Sequence, residues 1–191
     1  MILTQPLVQA LEAALKDAAP GDHRIQSIVR VAGGDINRAY CLITQQHRYF
    51  VKINGDDSAF SMFLTEKRGL ELLQKATDAG HFPETLAAGY AKNDAFLLMH
   101  WIDAGDKQQA GAQEALGRVL ASLHQRQTDR FGLDHDNYIG RLPQINAQAA
   151  NWTAFFIERR LQKQLDMAGY RIGAGLKTQF ERLFRRLPEL Y

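Results

Sequence analysis

Arg48-Tyr49-Phe50-Val51-Lys52-Ile53-Asn54 is the stretch whose reading decides the fold. Aromatic and β-branched residues dominate it, so it predicts a strand. Strand alternation sets Phe50 and Lys52 on one face and Tyr49, Val51 and Ile53 on the other, which leaves an ammonium on the same side as an aromatic ring. A charge so placed needs a partner, because a buried ammonium or carboxylate left alone costs several kcal/mol. Fourteen residues on (66 − 52) lies Glu66, in a segment where Phe63, Leu70 and Leu73 recur at helical spacing. Glu66 is three residues after Phe63 and four before Leu70, so its carboxylate points with the apolar stripe. A Lys52–Glu66 ion pair satisfies both charges at once.

Upstream, Gly33-Gly34 falls in a predicted hairpin. Taken singly, each part has a plainer reading. A strand lysine can snorkel to solvent, Thr65-Glu66-Lys67-Arg68 also fits an exposed turn of helix, and a glycine pair often only makes a turn. Their order carries more: glycine turn, strand lysine and helix glutamate are the parts by which a kinase-type site holds a nucleoside triphosphate.

Composition bounds the rest. At 191 residues and 46% hydrophobic, the chain has enough apolar side chain for one domain or two small lobes. The net charge of +2 is spread out, with only Arg182, Arg185 and Arg186 clustered, so no basic stripe argues for nucleic acid. The single cysteine, Cys41, excludes an internal disulfide framework and any cysteine-based zinc site, and reads as a small buried hydrophobe. No stretch approaches the ~18 apolar residues that cross a bilayer, and Met1-Ile2-Leu3-Thr4-Gln5-Pro6 has no charged leader pattern. No membrane partner is expected, and the cytoplasm is the expected compartment.

Periodicity predicts a short helix from Pro6 to about Ala18, stopped by Pro20-Gly21, then strands at Ile25–Val31 and Ala39–Thr44 around the glycine turn. The Lys52 strand follows, then a loop in which Ser58 is positioned to cap the Glu66 helix. Two strands come after Pro83, the second running Ala95 to Ile102 as a strand covered on both faces would. From Lys107 the pattern turns helical. Leu116, Val119, Leu120 and Leu123 form one stripe, a polar loop spans Gln125 to Gln148, and helices run from about Asn151 to Ala168 and Leu176 to Leu187. The expected organisation is therefore a strand-rich lobe, 1–103, and a helix-rich lobe, 104–191. Met99 to Asp103 would then be the hinge, whose backbone N–H and C=O groups can pair with a base.

The chain resembles the fructosamine kinase family, also called ketosamine 3-kinases, a branch of the protein-kinase-like superfamily near the aminoglycoside and choline kinases. The resemblance rests on Gly33-Gly34-Asp35-Ile36-Asn37-Arg38-Ala39-Tyr40, on Phe50-Val51-Lys52-Ile53-Asn54, and on Met62-Phe63 followed by Glu66, Gly69 and Leu70. It continues through Leu116-Gly117, Leu123-His124, Phe131-Gly132-Leu133-Asp134, Asp136-Asn137-Tyr138-Ile139-Gly140, Pro143-Gln144 and Asn146 to Trp152, Phe155-Phe156 and Arg159-Arg160-Leu161. It covers nearly the whole chain.

The resemblance implies an α+β, protein-kinase-like two-lobed fold, with a complete N-terminal antiparallel-sheet lobe and an incomplete helical C-terminal lobe. It implies ATP-dependent phosphorylation of the sugar 3-hydroxyl of a ketosamine, small or protein-linked, whose 3-phosphate then decomposes and so repairs a glycated amine. By this resemblance Lys52 holds the α- and β-phosphates and Glu66 holds Lys52. Gly33, Gly34, Asp35 and Asn37 cover the phosphates, and the backbone of His100, Trp101 and Ile102 meets adenine. Family members carry an acid where this chain has His100, a change that backbone-mediated contacts tolerate. ATP and magnesium are the implied cofactors.

Family members follow the last helix with a loop of the form His-Gly-Asp-Leu-Trp-Ser-Gly-Asn, and no His-Gly-Asp occurs here. The catalytic carboxylate and the metal ligands are therefore expected beyond Tyr191, no metal ligand is assigned within the chain, and the chain alone is expected not to turn over. His124, Asp134-His135-Asp136 and Asp22-His23 read as a helix end and polar loops rather than substitutes. Trp152, Phe155, Phe156 and Arg159, at i, i+3, i+4 and i+7, share a helix face that either closes the lobe or lies near the sugar pocket. Two further readings stay open: a non-catalytic module that binds nucleotide or a partner, and another small-molecule kinase of aminoglycoside or choline type.

Overall fold

The computed structural model describes residues 3–18, 21, 23–77, 80–105 and 111–190. Pro20, Asp22 and Lys107 lie outside the described residues. The chain divides into two compact units, Met1–Arg126 and Gln127–Tyr191. Residue 103, the expected end of the first lobe, falls inside the first unit.

In the first unit five strands form one antiparallel sheet in the order β1-β2-β3-β5-β4. They are β1 (Ser27–Val31), β2 (Arg38–Ile43), β3 (Arg48–Asn54), β4 (Thr85–Ala91) and β5 (Asp94–His100). β3 is central, and its alternation decides what each face receives. Tyr49, Val51 and Ile53 are almost fully buried against Leu7, Leu11 and Leu15 of helix α1 (Gln5–Ala18). Those leucines recur at i, i+4 and i+8, one stripe of a helix, and each contributes roughly 1.5–3 kcal/mol by leaving water. The other face carries helix α2 (Ala59–Ala76), whose Ala59 and fully buried Phe63 pack on Ala95, Leu97 and Met99 of β5. With both faces covered, β5 reads as the continuous apolar run expected of it.

Ser58 holds the N-cap position of α2 but does not cap it: its backbone is helical, and its hydroxyl lies 3.6 Å from the Met62 sulfur. The N–H of Ala59, the first helical residue, donates to the Asp56 carbonyl at 2.9 Å, so a backbone turn leads into the helix where a side-chain cap was expected. At the other end of α2, Arg126 Nε donates to the Ala76 carbonyl at 2.9 Å. Arg126 follows helix α3 (Ala112–His124), whose predicted stripe is formed but has no buried member; Leu116 and Leu120 are exposed.

The second unit holds a short hairpin, β6 (Asn137–Ile139) and β7 (Leu142–Gln144), in the segment expected to be a polar loop. Three-residue strands carry too little alternation to be read from sequence, and Pro143 argues against one. The helix expected from Asn151 begins there, with Asn151 Oδ1 accepting the Ala154 N–H at 2.9 Å. It runs as α4 (Trp152–Phe156), a π-helical turn (Ile157–Leu161) and α5 (Gln162–Ala168), and α6 (Ala174–Arg186) follows. On α6, Arg182, Arg185 and Arg186 are exposed, the solvated face expected of them.

The π turn shifts the expected aromatic face by one residue. Trp152 lies 5.4 Å from Phe156 with nearly parallel rings and 6.0 Å from Phe155, as the spacing predicts. The cation over Phe155, however, is Arg160 at 4.6 Å and not Arg159, because a turn closed by i→i+5 bonds holds more residues than an α turn. Arg160 also donates to the Ile145 carbonyl at 2.7 Å and to Asn146 Oδ1 at 2.5 Å. Burial lowers the Arg160 pKa from the usual guanidinium value.

Asn146, 1% exposed, is the hub of this unit. Its amide donates to the His135 carbonyl at 3.1 Å and to Asn137 Oδ1 at 2.9 Å, and its N–H donates to Asp136 Oδ1 at 2.8 Å. Its carbonyl accepts the Leu133 N–H at 3.1 Å. Gly132 makes room for this: φ is +124°, and a Cβ would stand 2.5 Å from the Asn146 carbonyl oxygen. Gly132→Ala therefore combines a backbone strain with a clash against immovable main chain. It is expected to cost about 2 kcal/mol or more, read as a lower urea midpoint with an unchanged slope; an unshifted midpoint would refute it.

Candidate functional site

The residues singled out on β3, α2 and the end of β5 converge on one cavity of about 490 Å³ in the first unit. Lys52, Glu66, His100, Trp101 and Ile102 all line it, with Phe50, Leu70, Pro83 and Met99 as the apolar part of the wall. Register explains the grouping. Lys52 stands between Ala39 of β2 and Leu97 of β5, and Phe50 between Cys41 and Met99, so Phe50, Lys52 and Met99 share one face of the sheet and form the floor.

Lys52 Nζ donates to Glu66 Oε1 in a direct ion pair. The side chains are 29% and 31% exposed, so the pair is partly and not fully withdrawn from water, as its place on the cavity wall requires. The next turn of α2 is laced by a Lys67–Glu71 pair, which leaves Glu66 to Lys52. Gln74 Nε2 donates to the Pro83 carbonyl at 2.7 Å and ties α2 to the approach to β4.

The predicted hinge is specific about which groups remain available. The His100 N–H donates to the Glu84 carbonyl at 2.9 Å and the Trp101 N–H to the Arg48 carbonyl at 3.3 Å. Ile102, 56% exposed, and Asp103 are the hinge residues whose N–H groups have no partner among the described residues. The His100 ring lies beside Tyr49, 5.7 Å between centroids, with Nε2 3.7 Å from Glu84 Oε2. Tyr49 belongs to the α1 face, so the side chain at position 100 points away from Lys52, and its exchange for the family's acid leaves the Lys52 face untouched.

Gly33, Gly34, Asp35 and Asn37 do not line the Lys52 cavity. They line a groove of about 590 Å³ along the β1–β2 turn, whose wall ends at Ala39, the register partner of Lys52. Gly33 and Gly34 have φ of +108° and +89°, the left-handed region that the turn requires and glycine adopts freely. Asn54, 6% exposed, was not assigned a role from sequence, and it ties this turn to the end of β3. It donates to Asn37 Oδ1 at 2.9 Å and accepts the Asp56 N–H at 2.9 Å. Among the described residues no three His, Cys, Asp or Glu side chains come together as a metal-binding group. Nor is any helix among them long and apolar enough to cross a membrane.

A five-stranded antiparallel sheet whose central lysine is paired with a glutamate on the following helix, joined to a helical remainder, defines a protein-kinase-like fold. A solved structure of a candidate fructosamine-3-kinase from Haemophilus somnus 129PT has this fold, with a TM-score of 0.82 at 24% identity over 97% of this chain and 61% of that one. Aminoglycoside phosphotransferase APH(4)-Ia, solved in a ternary complex with AMP-PNP and hygromycin B, has it with a TM-score of 0.56 at 13% identity, over 94% of this chain and 60% of that one. The chain belongs to the fructosamine kinase family, whose model matches residues 7–191. It is 37% identical over 144 residues to a Lactiplantibacillus plantarum protein named "Probable ketoamine kinase", covering 75% of this chain and 49% of that protein. It is 33% identical over 172 residues to the chloroplastic protein-ribulosamine 3-kinase of Oryza sativa subsp. japonica, covering 88% and 49%. The chain spans about half the length of these curated relatives.

Cys41 is buried on the Lys52 face, paired with Phe50 across β2 and β3. Burial pushes its thiol pKa up, opposed by the Arg48 charge and reinforced by Asp103. A thiol that titrates higher in the folded state keeps a proton that the unfolded chain releases. Stability from this source is complete below the ordinary thiol value of about 8.5 and is lost as pH rises through the folded value. Between pH 7 and 10 the urea midpoint of the unchanged chain is expected to fall further than that of Cys41→Ala; parallel curves would contradict it.

Proposed function

We propose that this chain is the nucleotide-holding part of an ATP-dependent ketosamine kinase, with residues 1–103 as the nucleotide lobe and hinge and 104–191 as part of the substrate lobe. The observation that carries this reading is the Lys52–Glu66 ion pair on the wall of an apolar cavity beside the end of β5, in a member of the fructosamine kinase family. In this reading Lys52 binds the α- and β-phosphates, and Glu66 fixes its ammonium in the orientation the phosphates require. Gly33, Gly34, Asp35 and Asn37 cover the phosphates, with Asn37 oriented by Asn54. The base lies against the backbone of His100, Trp101 and Ile102, and the Ile102 N–H, which has no partner among the described residues, is the donor it meets.

The reaction is transfer of the γ-phosphoryl group to a sugar 3-hydroxyl of a small or protein-linked ketosamine, inside the cytoplasm. The name of the rice relative, a protein-ribulosamine 3-kinase, supports that substrate class and the position of the hydroxyl. The donor set here does not fit magnesium, since the described residues bring no three acidic, histidine or cysteine side chains together. The metal ligands and the base that accepts the hydroxyl proton belong, in this reading, to the portion of the relatives beyond the match, and the 191 residues bind nucleotide without turning it over.

Titration calorimetry of the chain with ATP tests the site. Lys52→Met is expected to weaken ATP binding about tenfold or more and Glu66→Gln by about threefold to tenfold, both with an unchanged fold by circular dichroism. Equal affinity in all three proteins would overturn the assignment. Substrate class is tested in a version with the full length of its relatives: fructosyl-lysine, an aminoglycoside and choline are offered with ATP, and phosphorus NMR is expected to show a sugar 3-phosphate from the first alone.

A further inference from the structure

The cavity has a charged end and an aromatic end, and the aromatic end is held in place by a contact outside the nucleotide machinery described above. Phe50 and Lys52 are two residues apart on one strand face, about 7 Å along β3. Phe50 and Trp101 both line the cavity, with ring centroids 6.2 Å apart. The Trp101 indole is fastened. Its Nε1 donates to Asp103 Oδ1 at 3.1 Å, and the same carboxylate receives Arg48 Nη2 at 2.7 and 2.8 Å on its two oxygens. The Arg48 guanidinium in turn lies over the Trp101 ring, 5.7 Å from its centre.

The Arg48 and Asp103 side chains are 48% and 71% exposed, and a pair so open to water contributes little to stability. Its consequence is positional, because three groups from β3 and the segment after β5 hold one indole against the cavity before anything binds. Fixing an aromatic surface in advance removes the ordering cost that a ligand would otherwise bear.

Resting on the nucleotide-site reading, the structure assigns to the Trp101 side chain, with Phe50, the aromatic wall that receives the purine base, and to Asp103 and Arg48 the positioning of that wall. Trp101 thus acts through its ring as well as its backbone. Asp103 and Arg48 are positioning residues, acting on the base through the indole.

Calorimetric titrations of the 191-residue chain with ATP, adenosine and inorganic tripolyphosphate separate the two ends. Trp101→Leu is expected to weaken ATP and adenosine by about tenfold or more, and Asp103→Ala by about threefold to tenfold, with tripolyphosphate changed less than about twofold. Asp103→Asn keeps an acceptor for the indole but loses the charge that holds Arg48, and is expected to fall between Asp103→Ala and the unchanged chain. It also serves if the alanine variant does not fold. In a Trp152→Phe background Trp101 is the sole remaining tryptophan, and loss of Asp103 is expected to shift its emission before any nucleotide is added. Variants that bind ATP and adenosine as tightly as the unchanged chain overturn the inference, and so does an equal loss of tripolyphosphate. Binding of tripolyphosphate without adenosine by the unchanged chain removes the base wall but leaves the phosphate end standing. If the unchanged chain binds none of the three, the nucleotide site itself is refuted and this inference falls with it.

Discussion

A strand at the centre of a sheet with helices on both faces can carry a charge only where that charge finds a counter-charge or an opening. β3 meets this constraint at one position. Lys52 projects on the α2 face, next to the opening left beyond Phe63, and Glu66 of α2 reaches it. Everything around the cavity follows from keeping those two groups in register. α1 holds the opposite face of β3 through Tyr49, Val51 and Ile53, β5 pairs Leu97 with Lys52, and α2 is tied at its far end by Gln74 and Arg126. The partial exposure of the pair is consistent with a site that a ligand must enter. A fully buried pair would still hold spare ammonium protons but would keep them out of an anion's reach.

The second unit solves a different problem with a different device. It has few buried apolar side chains among the described residues, Phe155 and Leu187 being two of them, and a polar hub in place of a large core. Asn146 satisfies its amide, N–H and both oxygens internally and so binds the segment 133–137 to Arg160 of the π turn. These partnered contacts can specify a unique arrangement, although His135 Nε2 and Arg159 Nε beside them are buried without a partner among the described residues. The π turn belongs to this arrangement, since it brings Arg160 to Asn146 and Phe155 together.

Residue patterns made the first unit largely readable. The apolar alternation of β3 and the unbroken run of β5 marked both strands, and the spacing of Phe63, Glu66 and Leu70 marked the helix and the direction of its carboxylate. The hairpin at Asn137–Gln144 was not readable, because three-residue strands have no period to detect. Ser58 misled for a related reason: cap propensity names a residue type, while the bond formed depends on the local backbone, here already helical at Ser58. Asp103 and Arg48 gave no signal either, since two exposed charges 55 residues apart look like ordinary surface.

The amino-acid sequence by itself determined the family, the strand that carries the lysine, the helix that carries the glutamate and the order in which they occur, because periodicity and residue chemistry act locally. Only the tertiary structure decided that the glycine turn lines a groove of its own, that the His100 side chain turns away from Lys52, that Asn54 and Asn146 are organising centres, and that Trp101 is held by Asp103 and Arg48. Each of these depends on which distant groups the paired strands and the packed loops bring within hydrogen-bond reach. That proximity is a property of register and packing, and no short stretch of the chain encodes it.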